Sequence, residues 1–170
     1  MGIIQSLDGK RFTNVGDLAI FYLKHLSMLY QSAETIVDVF DRYVRKDSIK
    51  SAERELRSQV AGRHMIYHVN EGSSIPDWKQ FLSNNRNKQE LISFLEEYIS
   101  KFVNADNPLP VGQTLYLAGT FRNPEVVKKI AGDQFTDCVD VFSIQEESDT
   151  RIILHALHAD EQFGKSSVKG

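Results

Sequence analysis

Two short runs of β-branched and apolar residues, Thr35-Ile36-Val37-Asp38-Val39-Phe40 and Thr114-Leu115-Tyr116-Leu117-Ala118, constrain the fold of this chain more than any other feature. Each is too short for a stable helix and too apolar for a loop, so each predicts a buried strand. Around them, apolar residues recur at helical spacing. Asn14, with Asp17 three residues on, marks a helix start, and Leu18, Tyr22, Leu26 and Leu29 follow on one face. Asn87 is a candidate cap for a long helix with the stripe Leu91, Leu95, Tyr98 and Phe102, stopped by Pro108 and Pro110. Pro124 at a first helical position predicts a short helix to Ile130, Val139–Ile144 reads as a third strand, and Glu146 to about Gln162 as a last helix. Strands that alternate with helices, with no Asn-Gly turn between apolar runs, predict crossover connections. The expected class is therefore α/β, three-layered, with a mainly parallel sheet flanked by helices.

At 170 residues the chain fits one domain, 1–170, able to bury a sizeable core. With 41% hydrophobic and 25% charged residues it is neither disordered nor membrane-embedded. The lone Cys138 excludes an internal disulfide framework and fits a reducing compartment. No apolar run approaches the roughly 20 residues of a spanning helix, and the N-terminus lacks a secretory layout, so the expected location is cytoplasmic or nuclear, with no membrane partner. Gly2 sits in a loose match to the myristoylation pattern, but one acyl chain anchors only weakly. A net charge of −3 argues against a protein that coats nucleic acid over its whole surface, yet it permits a local basic patch.

In a parallel α/β sheet the ligand site lies beyond the carboxyl ends of the strands, which directs attention to the acids there. The first strand delivers Asp41; the third delivers Glu146, Glu147 and Asp149 at a helix start. Hard cations such as Mg²⁺ or Mn²⁺ need oxygen clusters of this kind. Taken singly, each acid has a structural reading, because acids complement the helix macrodipole in any first turn and Asp often closes a strand. After Asp41, the cations Arg42, Arg45, Lys46, Lys50, Arg54, Arg57 and Arg63 outnumber Asp47, Glu53 and Glu55. Lys50, Arg54 and Arg57 share one helical face, an arrangement suited to gripping phosphate beside a metal, although Glu53 and Glu55 also fit a plain solvated helix.

Val39-Phe40-Asp41 followed by Lys50, Glu53 and Arg57 resembles the strand and helix of flap endonucleases, where Val-Phe-Asp precedes a Lys and an Arg seven residues apart. Here the intervening loop is about two residues longer. Glu147-Ser148-Asp149 resembles the Glu-x-Glu that opens a later helix in those enzymes, with Asp in place of the second Glu. The wider pattern, Ser48-Ile49-Lys50-x-Ala52-Glu53-Arg54 with Asp149-Thr150-Arg151-x-x-x-His155-Ala156, is similar to a group of uncharacterised PIN-like animal proteins. The resemblance spans Val15 to Ala159. It implies a PIN-like, Rossmann-like fold and a metal-dependent nuclease acting on DNA or RNA. Asp41, Glu147 and Asp149 would be metal-site acids, joined by Glu146, with Lys50 and Arg57 steadying the scissile phosphate. The family also draws an Asp from an earlier strand and an Asp-x-Asp from a later one; only Asp8 and the region of Val168 stand near those places, so a fragment of a larger protein or a degenerate copy is expected. The alternatives are a catalytically silent module binding nucleic acid or protein through Arg42 to Arg63, and a purely structural interaction domain.

His155 and His158 lie three apart but among Ile152, Ile153, Leu154 and Leu157, which favours packing over metal binding. Cys138 reads as a small core residue. Trp78, Phe81 and Leu82 predict a helix docked on the core, with base stacking by Trp78 the lesser reading.

Overall fold

Asn14 opens the first long helix as its sequence requires, its side-chain oxygen accepting the Asp17 N–H at 2.8 Å. The computed structural model describes residues 2–41, 65–75, 77–103, 108–119, 123, 125–142 and 148–163. Within them the chain forms α1 (Gly2–Ser6), a 3₁₀ turn (Gly9–Arg11), α2 (Val15–Leu29), β1 (Thr35–Val39), α3 (Trp78–Ser83) and α4 (Asn85–Phe102). There follow β2 (Thr114–Ala118), β3 (Val127–Ala131), β4 (Gln134–Cys138), a 3₁₀ turn (Val139–Val141) and α5 (Ser148–Phe163). No helix among the described residues is long and apolar enough to cross a membrane.

The sheet is ordered β1-β2-β3-β4. β1 and β2 pair in parallel, whereas β2–β3 and β3–β4 are antiparallel. The fold is α/β with a mixed sheet, and the expectation of a mainly parallel one is corrected. Both errors behind it lie between Pro124 and Ile144. Val127–Ile130, expected as the end of a helix from Pro124, belong to the strand Val127–Ala131, because Gly132-Asp133 folds it back onto Gln134–Cys138, with Ala131 opposite Gln134. Gly132 has φ 60° and Asp133 is not in the positive-φ region, the sign pattern of a type II′ hairpin turn. Val139–Val141, expected as the start of a strand, is a 3₁₀ turn that buries Val141 and leaves Val139 exposed; Ser143 and Ile144 lie outside the described residues.

Alternation along the strands divides the apolar residues between two faces. Ile36, Phe40, Leu115, Leu117 and Ile130 join a large core with Leu18, Tyr22 and Leu26 of α2 and Leu91, Leu95 and Ile99 of α4. Val39, Tyr116, Ala118 and Val127 turn the other way, into a smaller cluster that Val141 completes and Ile152 of α5 flanks. Cys138 is half-buried against this second cluster.

Two buried amides hold the large core's irregular edges. Asn84, rather than Asn87, caps α4, accepting the Arg86 N–H at 2.8 Å. Asn87 is buried in the first turn of the helix. There it accepts the Tyr67 N–H at 3.0 Å and donates to Met65 O at 2.9 Å and Phe81 O at 3.3 Å, pinning the incoming segment to α3 and α4. Gln113 closes the far end of α2, donating to Tyr30 O at 3.2 Å and Ala33 O at 3.4 Å and accepting from Ser27 Oγ at 2.5 Å. The last carbonyls of a helix lack intrahelical partners, and Gln113 also reaches one of them, Ser27 O, at 3.5 Å.

Candidate functional site at the carboxyl end of β1

β1 ends against a tight crossing. Phe40 N–H donates to Ala118 O at 2.7 Å, extending the parallel ladder one residue beyond the strand. Gly119 then passes so close that a Cβ there would lie 2.5 Å from the Cβ of Phe40, and its φ of 153° also disfavours any side chain. Phe40 is buried and rests on Tyr22 at 6.3 Å between ring centres. Asp41 follows, half-buried at the sheet's rim.

The first turn of α5 reaches the same place. Arg151 is 1% exposed, and its Nη1 donates to Phe40 O at 2.8 Å. A buried guanidinium is tolerated only when hydrogen-bonded, so this contact anchors α5 to the end of β1. Asp149 stands two residues earlier in the same turn, although its side chain lies outside the described residues. One turn further on, His155 is 4% exposed, and its Nε2 has no hydrogen-bond partner among the described residues. Burial foremost, then the positive Arg151 and neighbouring His158, push its pKa down to about 4, so the ring is neutral near pH 7. His158 packs edge-on to Tyr116, centres 6.5 Å apart. Both histidines therefore serve the packing of α5 on the sheet.

Of the acids expected to hold a metal, Asp41 lies at the described rim, while Glu146, Glu147 and the Asp149 carboxylate fall outside the described residues. So do all the expected phosphate-binding cations, Arg42, Arg45, Lys46, Lys50, Arg54 and Arg57. Among the described residues no group of three His, Cys, Asp or Glu side chains comes together. A cavity of about 540 Å³ lined by Leu109, Gln113, Thr114 and Gly132 sits at the opposite, amino-terminal end of β2.

Sequence reasoning passed over a second feature next to the rim. Tyr22, read only as a member of an apolar stripe, donates its hydroxyl to Asp38 in the middle of β1. Desolvation chiefly, with the Asp38 charge and hydrogen bond, holds the Tyr22 pKa well above its ordinary 10. The signal was available, since a lone acid inside an apolar strand requires a donor. Trp78 is half-buried and stacked on Phe81 at 5.6 Å and 7°, in keeping with docking.

No protein-family model matches the chain, and searches of the curated proteins and of the solved structures found no similar chain.

Proposed function

We propose that the chain is a nuclease-like domain of the PIN type, three-layered around its sheet, that hydrolyses DNA or RNA phosphodiesters with Mg²⁺ or Mn²⁺ from an incomplete acidic site. The observation that carries this reading is the Arg151 bond to Phe40 O, which joins the first turn of α5 to the strand end that bears Asp41. Asp41, Glu146, Glu147 and Asp149 would hold the cation, which supplies Lewis acidity toward water and the phosphate oxygens. Lys50 and Arg57 would steady the scissile phosphate, with Arg42, Arg45, Lys46 and Arg54 along the flanking backbone. Acids and phosphate are both favoured at the start of a helix such as α5.

The same bond also favours a second reading. A guanidinium buried at the carboxyl end of β1 places positive charge beside the rim where a cation would sit. A silent module that binds nucleic acid or a protein partner through the basic segment is its natural consequence. A time course on flapped DNA and single-stranded RNA, with Mg²⁺ or Mn²⁺ and Asp41→Ala as control, separates the two. Slow metal-dependent cleavage lost in the variant supports the nuclease. Binding without cleavage at any metal concentration moves the domain to the silent reading, and cleavage unchanged in the variant overturns the site.

A further inference from the structure

β4 ends the sheet on the side away from β1, and among the described residues β3 alone pairs with it. Gly132-Asp133 is a two-residue turn, so Ala131 and Gln134 beside it exchange both backbone bonds, as do Lys129 with Thr136 and Val127 with Cys138. The N–H and C=O groups of Phe135 and Asp137 therefore point outward along an open edge. Edges are commonly guarded by a bulge, a proline or an exposed lysine. β4, which reads Gln134-Phe135-Thr136-Asp137-Cys138, has none of these, and its register with β3 runs unbroken. A regular row of unpaired donors and acceptors is a template for another strand.

Charge says what that strand should carry. Glu96 of α4 lies 3.2 Å from Lys128 of β3, and Lys128 lies 2.6 Å from Asp137. The row runs acid, base, acid, and its last member has a side chain 52% exposed at the open edge. A cation on an added strand continues the alternation, whereas an acid there would stand directly opposite Asp137. Exposed Asp133 and Asp140 flank the two ends of β4, and neither takes part in an ion pair among the described residues. Against these acids stand Lys128, already shared by two carboxylates, and Lys129, on the other face and 5.8 Å over the Tyr116 ring. The edge is thus acidic, which disfavours a second copy, since two-fold pairing of β4 with itself would bring the same acids together. Phe135, on the same face as Asp137, is half-buried against the large core and suits an apolar neighbour.

We infer that the open edge of β4 docks an extended basic segment of a partner protein as an added strand. Antiparallel pairing, the more stable per residue, sets the order in that segment: a Lys or Arg opposite Asp137, then one residue, then an apolar side chain opposite Phe135. The site lies at the far edge of the sheet from β1 and stands whether or not the domain cleaves nucleic acid.

The probe is the end-blocked peptide Thr-Arg-Thr-Val-Thr, added to the full isotope-labelled chain and followed by amide exchange. Binding should protect the outward amides of Phe135 and Asp137 and leave those of Gln134, Thr136 and Cys138, already bonded to β3, little changed. N-methylation of the peptide at Arg or Val, whose N–H groups face β4, should abolish binding, while N-methylation at the Thr between them should not. These probes leave the protein untouched, so its folding is not in question. Replacing the peptide Arg with Gln should weaken binding to the wild type about three- to fivefold and have no effect in Asp137→Asn. No binding at millimolar peptide, protection confined elsewhere on the chain, or equal affinity for Thr-Glu-Thr-Val-Thr overturns the inference. Protection of Phe135 and Asp137 that rises with protein concentration alone also overturns it and assigns the edge to a second copy.

Discussion

The two faces of the sheet are covered by different chemistry. Against one face, α2 and α4 bring Leu18, Leu26, Leu91, Leu95 and Ile99 into a large apolar core, where Asn87 and Gln113 serve the edges and the Tyr22 hydroxyl on Asp38 is a polar contact within. Against the other face, α5 presents half-buried Ile152 together with two deeply buried polar side chains, Arg151 and His155. Apolar burial is non-directional and insensitive to pH, whereas a buried guanidinium and a neutral imidazole depend on geometry and protonation. The difference teaches that α5, whose first turn carries Asp149, is the conditionally attached element. The candidate site is built where the fold's attachment is most polar.

The largest expected effect breaks the comparison at its strong side. Leu95→Ala removes a side chain that is 1% exposed and should cost about 2–5 kcal/mol in urea unfolding, while Ile152→Ala on the half-buried side should cost less, about 1–2 kcal/mol. Equal losses would mean that the two faces are equally packed.

Acid should act on the weak side. The pKa of His155 is depressed from 6.5 to about 4, so the unfolded chain takes up this proton before the folded one does. Its contribution to stability is intact above pH 6.5 and falls by up to about 3 kcal/mol as the pH drops toward 4. His155→Leu should flatten that part of the stability profile, and hydrogen exchange in the wild type should show α5 opening before α4. A profile identical in wild type and variant would remove His155 from the account.

Asn87→Ala, at the edge of the large core, should cost about 1–3 kcal/mol by leaving the Tyr67 N–H and two carbonyls without their partner. Tyr22→Phe should have the smallest effect near neutral pH, about 1 kcal/mol. The Tyr22 pKa is raised, so its contribution is fully present below pH 10 and is lost at higher pH as the unfolded chain ionises first. The variant should therefore be less sensitive to alkali than the wild type.

The strongly apolar side was also the more legible in sequence. The stripe Leu18, Tyr22, Leu26, the cap Asn14, and the β-branched runs at Thr35 and Thr114 each obey one local rule, and tertiary packing did not override it. The hairpin is illegible by local rules because Pro124 carries a helix-start signal and Gly132-Asp133 only a weak turn signal; two residues of turn geometry decide ten residues of strand. The burial of Arg151 is not legible in the sequence, since nothing local distinguishes a buried guanidinium from a solvated one. Asn87 shows the same limit, being a plausible cap by its neighbours and a clamp by its distant contacts. Polar residues that act at long range are set by the fold, and local pattern carries little of that information.

The central claim is that the carboxyl end of β1 is a metal-dependent site centred on Asp41. Calorimetric titration of Mn²⁺ into the wild-type chain and into Asp41→Asn tests it most directly, because it needs neither substrate nor turnover. The account predicts a single weak site in the wild type, with most of its affinity lost in the variant, as expected of a carboxylate set too small for two ions. No binding in the wild type, or equal binding in both proteins, would contradict it.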